Sequence, residues 1–366
     1  MLKDIFEYIR RRIIPVSVII ICIYALYLRI VYLYHHTLWT DEIFYLTPAK
    51  GTFLGLLEAL PKGQFCSYLS GDIFIFFPFF KIFSFNKWGL AIPCVISTIT
   101  GFYLLYLISK MYFKSAWAYL ITFSIVCFNA NLIVHATEIR TYAFLPTLAL
   151  ATFYVFKKAA DMNFILKISK KFWIILFFIL VIWFHVYGIL MFSVCLLFIL
   201  ASKYKDNNFK ENFKSLTCLT GIILLLAMPL WLYSVFGPHI NYSQLNINLF
   251  DYIPNPSQDI VGFLKGIFGN LIGYKKLYFM LLGMFVPLIF SYKDRYRQLL
   301  FLVIMIILPI SLILASDVLQ KYWFIQRQFI WVMPLFAFFL GWTWDSFLMM
   351  LKRNSIKRRK QYVEKT

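Results

Sequence analysis

Charge is what this sequence has least of. Only 14% of its 366 residues are charged, where a soluble domain carries about 25%. Acidic side chains are the scarcer sign, 16 against 36 Lys and Arg, for a net charge of +20. Cysteine is sparse, six in all and never as C-x-x-C, which argues against a disulfide framework or a structural zinc site. No Gly-rich phosphate loop, H-E-x-x-H or G-x-S-x-G occurs, so the usual residues of P-loop, zincin and α/β-hydrolase chemistry are missing. Internal repeats, low-complexity tracts and a soluble domain are not visible either.

Apolar side chains fill the space that charge leaves. They make up 61% of the chain, aromatics alone 20%, and the mean hydropathy is +0.75. Apolar runs longer than about 18 residues recur, which excludes disorder and a single soluble core. The expected fold class is an all-α polytopic membrane protein. Runs at 13–33, 89–109, 115–134, 140–156, 172–186, 188–202, 215–236, 277–291, 298–316 and 329–350 predict about ten spans. The piece Ile73 to Phe85 is too short to cross comfortably and reads as an interfacial or re-entrant helix. Residues 1–351 then form one transmembrane domain, with outer loops over 34–88 and 237–276, and 352–366 form a basic cytoplasmic tail.

With both termini inside, most Lys and Arg fall in cytoplasmic segments, as the positive-inside rule requires. The +20 therefore needs no nucleic-acid partner; the bilayer is partner enough. All five histidines, His35, His36, His135, His185 and His239, map to the outer side. Ionisable chemistry is thus expected there, at the ends of spans.

Four constellations stand out. Leu38 to Tyr45 carries Asp41 and Glu42 among Trp39, Phe44 and Tyr45. Burial and like-charge repulsion would raise one carboxyl towards a value useful for a base; the competing reading is a helix N-cap by Thr40 or Asp41. His135 to Tyr142 places His135, Glu138 and Tyr142 on one face if helical, with Arg140 able to hold a phosphate. A local Glu138–Arg140 pair that caps a hairpin is the alternative. Trp183 to Gly188 puts His185 in a tight turn, as a pocket residue or an interfacial one. Lys321 to Gln328 holds Lys321 and Arg327 among aromatics, suited to a lipid-linked phosphate or to an anchoring belt.

Taken in order, these motifs resemble the GT-C membrane glycosyltransferases of family 39, the protein O-mannosyltransferases and their aminoarabinose-transferase-like bacterial relatives. Asp41-Glu42 after a first span resembles that family's Asp-Glu motif, Arg140-Thr141-Tyr142 its Arg-x-Tyr, and Trp183-Phe184-His185 its Tyr-Thr-His turn. Arg327 ahead of Pro334 resembles its late Arg-Tyr…Pro. The likeness covers roughly 10–200 and, less closely, 298–345; Ser70-Gly71-Asp72-Ile73 stands where many relatives carry His-Pro-Pro.

The resemblance implies a GT-C-like bundle in the cell membrane, the inner or plasma membrane, with its active site on the outer face. It implies transfer of a sugar from a polyprenyl-phosphate donor to an acceptor it does not identify. In that frame Asp41 is the base and Glu42 orients it or a metal; Arg140, Arg327 and Lys321 hold the donor phosphate; Glu138, Tyr142, His185 and Tyr45 shape the sugar pocket. A divalent ion is compatible but no ligand spacing demands one. A transporter or flippase of a lipid-linked glycan, or a glycan polymerase or ligase, is the alternative function.

Overall fold

The computed structural model describes residues 2–59, 71–161, 168–185, 187–204, 209–236, 295–320 and 329–363, with isolated positions at 261, 283, 287 and 289. Among the described residues the chain is helical and contains no strand. The helices are α1 Leu2–His35, α2 Thr40–Leu46, α3 Phe53–Ala59, α4 Asp72–Phe83, α5 Lys87–Tyr112, α6 Ala116–Phe128 and α7 Ala130–His135. They continue with α8 Leu145–Asp161, α9 Ile168–Phe184, α10 Tyr187–Lys203, α11 Phe209–Phe236, α12 Arg295–Phe301, α13 Leu308–Gln320 and α14 Val332–Val363. A π-helical turn, Leu302–Ile307, joins α12 to α13. Pro309, which has no N–H to give to the turn before it, accounts for this widening.

Five stretches are long and apolar enough to cross a bilayer: Val16–His35, Lys87–Tyr112, Phe213–Leu232, Arg295–Ala315 and Val332–Ser355. Shorter apolar helices lie at Ala116–Phe128, Lys171–Phe184 and Tyr187–Lys203. Their outer surfaces are apolar in a way water would not tolerate. Along α1, Ile19, Ile23, Tyr27 and Ile30 are exposed, while Val18, Ala25, Arg29 and Leu33 face inward; Leu225 of α11 is 75% exposed. This is a multi-pass membrane protein. The predicted run 277–291 lies almost wholly outside the described residues, as do the loop 237–276, with His239, and the segment with Lys321 and Arg327.

The run expected as one span over 115–134 is two helices. Asn129 breaks it in extended conformation (φ −70°, ψ 122°), and its side chain accepts from the Leu132 N–H at 2.9 Å, starting α7 afresh. The run expected from 140 starts late, because Arg140 is extended (φ −151°, ψ 168°) and α8 begins only at Leu145. Helix α14 runs on from the apolar stretch into the basic tail, as far as Val363.

Packing gives a large cluster built on α1, α5, α6, α8, α9, α10 and α14, and a small one. The small one joins Tyr45, Leu46, Ile73, Phe76 and Phe80 to Leu90, Cys94, Ile139 and Phe144. It seats α2 and α4 on the start of α5 and on the 136–144 segment. The chain's few charges hold the corners. Lys87 donates to the carbonyls of Tyr34 (2.9 Å) and His36 (2.8 Å), capping the end of α1. Asp345 of α14, 3% exposed, accepts from the N–H groups of Lys114 (3.0 Å) and Ser115 (2.5 Å) at the start of α6. Gly341, one turn earlier, lets α14 meet α6 closely: a Cβ there would collide with Thr122 Oγ1 and lie 2.9 Å from the Ala118 carbonyl.

Asp345→Ala is therefore expected to lower stability by about 1–3 kcal/mol, the cost of leaving buried donors unpaired. Thermal melts of the purified protein in detergent check it; a melt unchanged from wild type would mean the α5–α6 turn does not need this carboxylate.

Candidate functional site

The site forms where the small cluster meets the bundle. Helix α2 starts at Thr40, and Glu42 reaches back so that its Oε2 accepts from the Trp39 N–H at 3.0 Å, half of a capping box. Its Oε1 accepts from the Ile139 N–H at 2.7 Å, across 97 residues. Glu42 is fully buried. The Asp41 side chain lies outside the described residues, so its distance from Arg140 is not among these contacts.

A second carboxylate joins it. Asp72, fully buried, takes the Tyr45 hydroxyl on Oδ1 at 2.6 Å and the Thr141 hydroxyl on Oδ2 at 2.9 Å. Asp72 is placed by Gly71, whose N–H donates to the Phe184 carbonyl at 3.0 Å. A Cβ on Gly71 would stand 2.7 Å from the Phe184 Cα, so only glycine allows this approach. The same contact brings the His185 turn to the site. His185 Nδ1 accepts from the Tyr187 N–H at 3.2 Å, and burial lowers its pKa to about 3. It is a neutral imidazole with its proton on Nε2, a donor rather than a base.

Glu138 is the third buried carboxylate, 1% exposed. His135 Nδ1 approaches its Oε2 to 2.9 Å, but the angle makes no hydrogen bond, and neither carboxylate oxygen has a hydrogen-bond partner among the described residues. The expectation that His135, Glu138 and Tyr142 share a helical face meets a different geometry. Residues 136–140 are a non-helical turn. His135 nonetheless touches both: its ring centroid is 6.1 Å from that of Tyr142. The Arg140 guanidinium lies 5.6 Å from the Tyr142 ring centre, and its charge acts on both Glu42 and Asp72.

Electrostatics follow from burial. Loss of hydration raises Glu42 to about 7, against the Ile139 and Trp39 hydrogen bonds and the Arg140 charge, which favour its ionised form. The same cause raises Asp72 to about 6, opposed by Tyr45 and Thr141. Two carboxyls so tuned can gain or lose protons near neutral pH. Among the described residues no three His, Cys, Asp or Glu side chains are grouped to hold a metal ion, and Glu42 and Asp72 already use their oxygens on protein donors. Among the described residues the donor set does not fit a divalent ion.

Glu42, Glu138, Arg140, Tyr142, His185 and Tyr45 are thus all in this region, while Arg327 and Lys321 lie outside the described residues. Asp72 and Thr141 are functional candidates that the sequence did not single out. The one signal was a lone Asp at the head of the apolar run Ile73 to Phe85, which reads locally as a helix cap. Comparison with protein-family models, with curated proteins and with solved structures finds no match.

The pKa of Glu42 gives a measurable sign. Its carboxyl holds a proton up to about 7 when folded, against an ordinary value of 4.5. The unfolded chain therefore ionises first, and stability falls as pH rises from 4.5 to about 7, then levels. Glu42→Gln lacks this proton, so the stability gap between it and wild type should shift by on the order of 2 kcal/mol across that window. Melts at several pH values check this; parallel curves would mean Glu42 is ionised in the fold throughout.

Proposed function

We propose that the protein is an integral membrane glycosyltransferase moving a sugar from a polyprenyl-phosphate donor to an acceptor hydroxyl or amine at the outer face of the cell membrane. The reading includes a bundle of about ten spans with both termini cytoplasmic. The observation that supports it best is the buried acidic cluster of Glu42, Asp72 and Glu138 around Arg140, at the edge of an apolar bundle. Transfer of a sugar from a lipid phosphate needs these parts together: a base, acceptors for sugar hydroxyls, and a cation for the leaving phosphate.

In this mechanism Asp41 takes the proton of the acceptor hydroxyl. The acceptor oxygen forms its bond to the anomeric carbon as the carbon–oxygen bond to phosphate breaks. The bond pair leaves with the polyprenyl phosphate, whose added negative charge Arg140 offsets, with Arg327 and Lys321 completing the clamp. Glu42 is a positioning residue: with both oxygens on backbone N–H groups, it fixes the 136–143 segment beside α2. The oxygens of Glu138, one of them 2.9 Å from His135 Nδ1 and neither hydrogen-bonded among the described residues, suit sugar hydroxyls. Tyr142 and neutral His185 supply a flat wall and a donor, and Tyr45 acts through Asp72.

The test is incubation of the purified protein with a panel of polyprenyl-phosphate sugars, reading transfer or hydrolysis. Asp41→Asn should cut turnover by roughly 10²- to 10⁴-fold with the fold intact. Arg140→Lys keeps charge but loses the planar fork, so donor affinity should fall about tenfold, and further in Arg140→Ala. No turnover with any donor in the panel, or Asp41→Asn at the wild-type rate, overturns this assignment. Unchanged donor affinity in Arg140→Lys and Arg140→Ala, with lowered melts, would make Arg140 a structural partner of the carboxylates.

A further inference from the structure

Sugar transfer as proposed leaves His135 without a task. This residue closes α7, the short helix that Asn129 starts and that packs on α1. Its Nδ1 is buried 2.9 Å from Glu138 Oε2, while the side chain as a whole keeps 14% exposure. Nε2, on the other edge of the ring, is then the nitrogen open to a ligand. Among the described residues no hydrogen bond occupies Nδ1 or either oxygen of Glu138.

The neighbouring groups are engaged already. Glu42 and Asp72 accept on both oxygens, and His185 accepts on Nδ1 from the Tyr187 N–H. The charge of Glu138 acts on Tyr32 and His36 at the end of α1 and on Glu42 of α2. An ionised Glu138 is repelled by Glu42, and a protonated His135 offsets that charge. A carboxylate behind an imidazole fixes the ring and stabilises its cationic form. Unliganded sites often hold such a bond poorly aligned and tighten it around substrate.

Position decides which proton His135 handles. Tyr142 adjoins both His135 and Arg140: the His135 ring centroid is 6.1 Å from that of Tyr142, and the Arg140 guanidinium is 5.6 Å from the same ring centre. A phosphate held by Arg140 over that ring therefore lies on the His135 side of the site. The leaving phosphate gains a second negative charge as its bond to the sugar breaks, and a proton removes it.

We propose that His135 is the general acid of the transfer, giving its Nε2 proton to the departing phosphate, with Glu138 as its positioning residue. The inference rests on the glycosyl-transfer reading. As the carbon–oxygen bond to phosphate breaks, its electron pair stays with the phosphate, which takes the Nε2 proton. The acceptor oxygen bonds to the anomeric carbon, and its own proton goes to Asp41. One proton is given and one is taken, so the chemical step leaves the charge of the site unchanged. Afterwards His135 regains a proton from water and Asp41 releases one. Oε1 of Glu138 remains for a sugar hydroxyl.

The test uses the full-length protein in detergent with farnesyl phosphates linked to hexoses, N-acetylhexosamines and pentoses. His135→Gln should lower kcat by roughly 10²-fold, the low end of general acid–base catalysis, and leave the donor KM unchanged. Adding Glu138→Gln to it should cost no further kcat, because the two act as a unit, while KM rises through the lost Oε1 contact. Free imidazole should restore part of the rate of His135→Ala, which no structural role would produce. Should the His135 variants fail to fold, acylation of His135 in the wild type by diethyl pyrocarbonate, followed by peptide mass spectrometry, replaces them. Transfer should then fall in step with His135 modification. Wild-type kcat in His135→Gln, absence of imidazole rescue in a folded, slow His135→Ala, or undiminished transfer by acylated protein overturns this inference and leaves glycosyl transfer standing. No turnover by the wild type with any donor overturns the glycosyl-transfer reading, and the acid with it.

Discussion

The carboxylate of Glu42 holds two distant pieces of backbone, the Trp39 and Ile139 N–H groups, and the site depends on that bridge. Residues 136–140 are not helical, and the Ile139 N–H finds its partner in Glu42, 97 residues earlier, rather than in a local turn. A buried donor left unmade costs about 1–3 kcal/mol, enough to unseat a turn of this size. Asp72 repeats the device from the other side, taking the Thr141 hydroxyl. The conformation that presents Glu138 and Arg140 is thus dictated by two carboxylates on elements far earlier in the chain.

Such bridging sets the chemistry as well as the shape. Each carboxylate must be buried to reach its donors, and burial lifts Glu42 and Asp72 towards neutral values. Arg140 opposes this, because its charge favours both ionised forms. The architecture that satisfies backbone groups therefore also produces a cluster whose proton occupancy is balanced near neutral pH. His185 is excluded from that balance. Burial drives its pKa down to about 3, leaving a neutral donor in the α9–α10 turn.

The helices were legible because lipid contact demands continuous apolar runs, and a run such as Val16–His35 needs no partner to be recognised. The break at Asn129 was missed, because the apolar run continues past it, although an Asn inside such a run competes for the backbone. Glu42 stood out through its aromatic neighbours. Asp72 did not, for its meaning comes from Tyr45, 27 residues away, and Thr141, 69 residues away. Local pattern carries no record of such pairings. Nor does it show Gly71 passing against Phe184, which is a matter of backbone clearance alone.

In a chain so poor in charge, the uses of each charge become informative. Cations cover the carbonyl ends of helices: Lys87 on α1, Arg29 on α6, and Lys203 on the Ala160 carbonyl of α8. Buried carboxylates cover N–H groups or hydroxyls: Asp345 at the start of α6, Glu42 on Trp39 and Ile139, Asp72 on Tyr45 and Thr141. These roles follow from the absence of water in the bundle, where every backbone group needs a protein partner. Glu138 breaks the rule. It is as buried as the others, yet neither of its oxygens holds a hydrogen bond among the described residues. His135 Nδ1 stands 2.9 Å from Oε2, and a desolvated carboxylate with so few donors is among the costlier groups a fold can keep. With a histidine beside it, this is the carboxylate that would suit a ligand with donors of its own, such as the sugar hydroxyls of the proposed reaction.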